Sequence, residues 1–115
     1  MDKIKTLFLA ECEDYIDPTP FGLYSYDTSF KPKPMSALYC MVREIDPKKL
    51  GTDHEIIFLG SADDLKYALE HHTKTECFKS KGVKYIGVRY TDDSYELSSS
   101  FYDTLYKRYE PDCNL

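Results

Sequence analysis

The side chains able to do chemistry are few and scattered. His71 and His72 lie side by side, five residues ahead of Cys77, and these are donor types that hold zinc. Adjacent histidines on a helix point in different directions, and no further donors follow at zinc-site spacing, so no metal site is expected. Cys40, with a histidine and an acid, could on paper act as a nucleophile. Set among Leu38, Tyr39, Met41 and Val42, it reads instead as an inert core thiol. Cys113, near the end of the chain, is the more reactive thiol. His54 stands at a strand start and reads as solvated. The sequence holds neither a glycine-rich phosphate loop nor a G-x-S-x-G elbow. Eleven tyrosines and no tryptophan remain. A half-exposed tyrosine can stack on a base or anchor an interface, although most here read as packing residues.

The chain has 115 residues, which is one domain able to bury a core without metal or disulfide. Its net charge of −5 disfavours stable nucleic-acid binding, which depends on neutralising phosphates with Lys and Arg. The acids group at Glu11-Cys12-Glu13-Asp14, Asp63-Asp64 and Asp92-Asp93, and the lysines fall mostly in loops. Cys12, Cys40, Cys77 and Cys113 show no C-x-x-C spacing. The apolar run near the N-terminus is too short for a signal peptide, and no segment reaches membrane-spanning length. The expectation is a cytoplasmic protein with reduced thiols and no membrane partner.

These residues must be positioned by a small set of elements. Thr6 to Cys12 reads as a first strand. Asp17-Pro18-Thr19-Pro20 reads as a break, because proline removes a donor and restricts its predecessor. Phe21 to Phe30 reads as a short strand or ordered loop, and Lys31-Pro32-Lys33-Pro34 as a second break. Ser36 to Ile45 alternates as a strand, 46–53 is turn chemistry, and His54 to Gly60 returns as a hairpin partner. Ser61 or Asp63 is the expected N-cap of a helix whose face carries Leu65, Ala68, Leu69 and His72. Lys79-Ser80-Lys81-Gly82 reads as a loop and Val83 to Tyr90 as a third core strand. A last helix is expected from Tyr95 to Tyr109, with a stripe of Leu97, Phe101, Leu105 and Tyr109, ended by Pro111.

From Ala37-Leu38-Tyr39 through Ile56-Ile57-Phe58-Leu59-Gly60 to Pro111-Asp112-Cys113-Asn114, the chain resembles a GIY-YIG nuclease domain. Tyr39 falls on the tyrosine of the first signature triplet, and Phe58-Leu59-Gly60 on the second. Ser61, Ala62 and Leu65 continue the family's register, but its catalytic arginine falls on Ala68. Leu69 and His72 follow. The closing glutamate falls on Tyr102, ahead of Leu105-Tyr106, Pro111 and Asn114. Two literal strings spell the signatures more closely, but a Pro-rich break separates Gly22-Leu23-Tyr24 from the hairpin, and no helix with the right leucines follows Tyr85-Ile86-Gly87. The resemblance implies an α+β fold: a small, mostly antiparallel sheet flanked by helices. Its β-β-α-β-α core would occupy residues 35–115, with 1–34 as an N-terminal extension within one domain.

The family's chemistry needs a carboxylate on a divalent cation, a tyrosine that helps activate water, and an arginine against the phosphate. Tyr102 stays protonated, with a phenol pKa of ~10, and is no hard-cation ligand. Ala68 brings no charge. Asp103 is a substitute acid turned about 100° along the helix, and Glu96 lies almost two turns earlier. The expected function is therefore a catalytically inactive GIY-YIG-like domain acting as a binding or regulatory module, without a cofactor. Its remnant cleft would comprise Tyr39, Phe58, Gly60, Tyr67, Ala68, His72, Tyr102 and Asn114, holding a protein or nucleotide partner. The alternative is a divergent endonuclease using Asp103 or Glu96 to hold a metal such as Mg. A homodimer through an edge strand or the aromatic face stays open.

Overall fold

The computed structural model of the chain describes residues 5–9, 19–27, 29–43, 56–92 and 113. Its elements are β1 (Lys5–Leu9), β2 (Thr19–Ser25), β3 (Ala37–Arg43), β4 (Ile56–Ala62), α1 (Leu65–Glu70), α2 (Thr75–Ser80) and β5 (Val83–Tyr90). The five strands make one sheet in the order β1-β2-β5-β3-β4, with every neighbouring pair antiparallel. This is an α+β architecture.

The sequence of β3 explains its place beside two partners. Ala37 to Val42 is an unbroken run of apolar residues, each at most 4% exposed, as a strand covered on both faces requires. Alternation sends Leu38, Cys40 and Val42 to one face, where they pack with Phe21, Leu23, Ile56 and Leu59. Ala37, Tyr39 and Met41 go to the other face, with Leu65, Phe78, Ile86 and Val88. The two helices therefore lie on the face that carries Tyr39.

The β3–β4 pairing aligns Tyr39 with Gly60 and Met41 with Phe58, then jumps so that Val42 meets Ile56. Ile57 is the extra residue of a β-bulge. A bulge rotates the strand locally, and this one puts consecutive Ile57 and Phe58 into the same cluster. Strict alternation would have sent one of them to the opposite face.

Several boundaries differ from the sequence expectations. Thr19 and Pro20 belong to β2 rather than to a break. At Pro20 the strand pairs with Phe8 of β1, whereas pairing with β5 begins only at Gly22. A missing N–H is tolerated where one side of a strand is unpaired. β4 continues past Gly60 to Ala62. The N-cap of α1 is Asp64, whose carboxylate accepts from the Tyr67 N–H at 3.0 Å, rather than Ser61 or Asp63. α1 stops at Glu70, so His72 lies beyond its end. Lys79 and Ser80, expected in a loop, are the end of α2, which Gly82 terminates at φ 73. The strand expected over Val83 to Tyr90 has those bounds. The expected final helix, Tyr95 to Tyr109, lies outside the described residues.

The Pro-rich stretch after β2 is a strap rather than a simple break. The Leu65 N–H donates to the Met35 carbonyl at 3.0 Å and the Lys66 N–H to the Lys33 carbonyl at 3.3 Å. Those are two of the orphan donors at the start of α1. The Lys33 N–H donates to the Tyr90 hydroxyl at 2.9 Å, and the Lys33 ammonium sits 5.3 Å from the Tyr90 ring centre. The Ser36 hydroxyl donates to the Asp63 carbonyl. The strap thereby ties the first helix to the last described strand.

Candidate functional site

Tyr39 crosses Gly60. A Cβ placed on Gly60 would stand 2.8 Å from Tyr39 Cζ and 2.8 Å from Phe58 Cε1, so only a glycine lets both rings lie there. The ring of Tyr39 is 4% exposed and lies 5.8 Å from that of Phe58. Its hydroxyl is 2.9 Å from Nε2 of His72.

The backbone settles the histidine's tautomer. The Lys74 N–H donates to His72 Nδ1 at 3.1 Å, and a backbone N–H can only donate. The neutral ring therefore carries its proton on Nε2 and donates it to Tyr39 Oη. Burial holds the His72 pKa below its ordinary value, and the Lys74 ammonium adds to that. The imidazole packs edge-on against Phe58 at 4.9 Å and tilted against Phe78 at 5.0 Å. Phe58 and Phe78 meet edge-on at 5.4 Å. What the sequence suggested as a cleft is an aromatic nest filled by its own side chains.

The structure thus brings together Tyr39, Phe58, Gly60 and His72. Tyr67 does not join them. It is 61% exposed and stacks on His71 at 4.1 Å, while His71 Nδ1 donates to the Tyr67 carbonyl at 3.0 Å. Ala68 is half-buried on α1. Tyr102, Asn114, Asp103, Glu96 and His54 lie outside the described residues. The literal strings prove to be sheet neighbours as well, with Leu23 opposite Gly87 and Tyr24 opposite Ile86. What sets β3–β4 apart is the helix that follows β4 within three residues of its end.

The expectation of reduced cysteines is overturned at Cys77 and Cys113, while Cys40 is a free thiol. Cys77 and Cys113 form a disulfide, with Cα atoms 5.9 Å apart and a sequence separation of 36. Such distance along the chain says nothing about proximity in space, which is why spacing did not expose the pair. Cys113 is 1% exposed, so the thiol expected to be reactive is buried and bonded. With its sulfur bonded, Cys77 is no thiolate donor for a metal beside His71 and His72. Among the described residues, no three His, Cys, Asp or Glu side chains gather as a cation site. Cys40 is fully buried, and burial pushes its thiol up to about 12, so it stays protonated.

An open groove lies between the strap and α1. Its volume is about 750 Å³, and Tyr26, Phe30, Pro32, Pro34 and Leu69 give it an apolar lining. Lys31, Lys66, Asp27 and Glu70 supply the charge. Lys66, Leu69 and Glu70 stand at i, i+3 and i+4, one face of a helix. Tyr26 anchors the far side by meeting Phe78 edge-on at 6.1 Å, and burial raises its pKa. Asp27 holds the turn by accepting from the Ser29 hydroxyl and, at 2.8 Å, from the Ser29 N–H, and these bonds lower its pKa. The groove does not show in the sequence, where the prolines of 31–34 read as punctuation. The available signal was the unpaired N–H groups that any helix starting near 65 must satisfy. A smaller hollow of about 490 Å³ lies at Met35, Asp63, Tyr90 and Asp92.

No described helix is long and apolar enough to cross a membrane. The chain matches no protein-family model, no curated protein and no solved structure.

Proposed function

We propose that this chain is a catalytically inactive GIY-YIG-like domain that works as a binding module. The observation that carries the reading is the state of Tyr39. The tyrosine that would help activate water lies buried across Gly60, with its hydroxyl taken by a neutral imidazole. The position that would hold the arginine is Ala68. Removal of one transition-state-stabilising group commonly costs about 10²–10³-fold in rate. With that group missing and the tyrosine enclosed, turnover is not expected.

The partner's seat is the groove between the strap and α1 rather than the nest around Tyr39. Its volume falls within the usual range for ligand sites, and an apolar lining with a few charged groups is their common composition. The aromatic side chains Tyr26 and Phe30 suit a flat or apolar group of a nucleotide or a protein side chain.

The test is a cleavage assay on the purified full chain with duplex and single-stranded DNA and RNA, in Mg²⁺ and in Mn²⁺. No cleavage is expected. Cleavage that disappears in Tyr39→Phe overturns the reading in favour of a divergent nuclease.

A further inference from the structure

The disulfide carries an inference that stands apart from the nuclease-frame reading. α2 is six residues long and buries a single side chain, Phe78. A helix of that length has little stability of its own. Its N-cap is Lys74, whose side chain has no acceptor to offer the first N–H groups. α2 is held under the sheet by Phe78, by the covalent bond from Cys77 to Cys113, and at its C-cap by Arg43 Nε of β3, which donates to the Lys81 carbonyl at 2.9 Å. Phe78 is also the ring against which His72 and Phe58 pack.

We propose that the Cys77–Cys113 disulfide is a redox-controlled clasp that fixes α2 against the Tyr39–His72 pair and releases it when reduced. The two sulfurs differ in access: Cys113 is 1% exposed, whereas Cys77 is half-buried, so exchange begins at Cys77. The thiolate of a small cellular thiol attacks Cys77 Sγ. The bond to Cys113 breaks, and the Cys113 sulfur leaves as a thiolate that takes up a proton. A second thiolate then attacks the small thiol's sulfur in the mixed disulfide. It releases Cys77 as a thiolate, also protonated, and forms the small-molecule disulfide that carries away the oxidising equivalents. The reverse sequence, driven by that disulfide, closes the clasp.

The remaining described cysteine does not compete. Cys40 lies on the opposite face of the sheet, in the cluster with Leu38 and Val42, and is fully enclosed. Nor does the sheet depend on the clasp, since β3 is hydrogen-bonded to β4 on one side and β5 on the other. The reduced chain keeps its strands and loosens α2, which is what gives the clasp two folded states.

The experiment uses the full chain in buffers of oxidised and of reduced glutathione. Iodoacetamide labelling with mass spectrometry reads the thiols, and the His72 imidazole resonances read the nest. Amide exchange across β3 and β5 reads the sheet. In oxidised glutathione Cys77 and Cys113 are expected to stay unlabelled. In reduced glutathione both gain a label, the His72 resonances shift, and the β3 and β5 amides stay protected. Cys12→Ser is expected to behave like the parent chain. Cys113→Ser is expected to show the reduced His72 spectrum in either buffer; if it does not fold, the unsubstituted chain decides alone. Labelling of Cys77 and Cys113 in oxidised glutathione overturns the proposal, and so does a His72 spectrum indifferent to reduction. Collapse of amide protection on reduction also overturns it, because the bond is then a staple without a second folded state.

Discussion

Tyr39 Oη and His72 Nε2, 2.9 Å apart, join β3, paired on both sides within the sheet, to the short connection between the two helices. The contact has a direction, because the Lys74 N–H occupies Nδ1 and leaves the imidazole proton on Nε2. Removing the tyrosine oxygen takes the acceptor from that N–H, on a ring that is half-buried. A fully buried donor without its partner costs about 1–3 kcal/mol, and a half-buried one falls toward the lower end. Tyr39→Phe is therefore expected to lower stability in urea unfolding by an amount in that range. His72→Phe in the same background should remove part of the loss, since the stranded donor is then gone. Equal destabilisation of Tyr39→Phe with and without His72→Phe would remove the coupling.

The same histidine sets a pH dependence. Burial in the nest holds its folded-state pKa below the ordinary histidine value, and Lys74 pushes in the same direction. Between the two values the unfolded chain binds more protons than the folded one, so folding weakens as pH falls. The contribution is fully present above the unfolded pKa, near ~6.5, and declines below it toward the folded value. Protonation would also put a hydrogen on Nδ1, against the Lys74 N–H that now donates to it. Thermal unfolding followed from pH 7.5 to pH 5 should show this decline, and His72→Gln should flatten it. Retention of the slope in His72→Gln would assign it to other groups.

Gly60 gives a prediction from geometry alone. Both ring atoms that a Cβ would meet belong to side chains enclosed in the nest, and the Tyr39 hydroxyl is held by His72. Neither ring can withdraw without moving the other. Forcing extra atoms into such a site typically costs about 1–3 kcal/mol. Gly60→Ala should show that loss in denaturant, together with a changed aromatic signal in near-ultraviolet circular dichroism. The double substitution Gly60→Ala with Phe58→Leu should be less damaging than the sum of the two, because the smaller side chain frees the space.

How much of this was legible in the sequence depends on whether the information is local. The apolar run of β3 and the alternation of β5 depend on neighbours along the chain, and both strands are where the pattern puts them. The pairing of the strand that carries Tyr39 with the strand through Gly60 was readable because two strands and a helix follow one another in order, whereas the register was not. The Ile57 bulge was not, since nothing in Ile56-Ile57-Phe58-Leu59 says which residue slips. α2 was missed because Thr75 to Ser80 offers one core residue, Phe78, and no stripe. The strap over α1 reads as a break in the sequence because prolines signal what a segment cannot do. Its contacts, Lys33 to Tyr90 and Met35 to Leu65, are made at a distance. His72 differs only in its element, since the helix face on which its spacing puts it ends two residues before it.

The disulfide was invisible for the most physical of these reasons, and its energetics bear on whether the clasp can work. Closing a loop across a sequence separation of 36 residues removes conformational entropy from the unfolded chain. In the chain-entropy picture this stabilises the fold by about 4 kcal/mol, and measured values commonly run about 2–4 kcal/mol. Small domains have about 5–15 kcal/mol in total, so a reduced chain of ordinary stability remains folded with a narrower margin. The oxidised chain should therefore unfold at a higher urea concentration than the reduced one, with Cys77→Ala/Cys113→Ala close to the reduced chain in both buffers. The loss should be smaller than the stability that remains, since neither cysteine lies on a strand of the sheet. A reduced chain already unfolded in the absence of urea would mean that Phe78 and the sheet do not suffice, and that the bond is the fold's chief support.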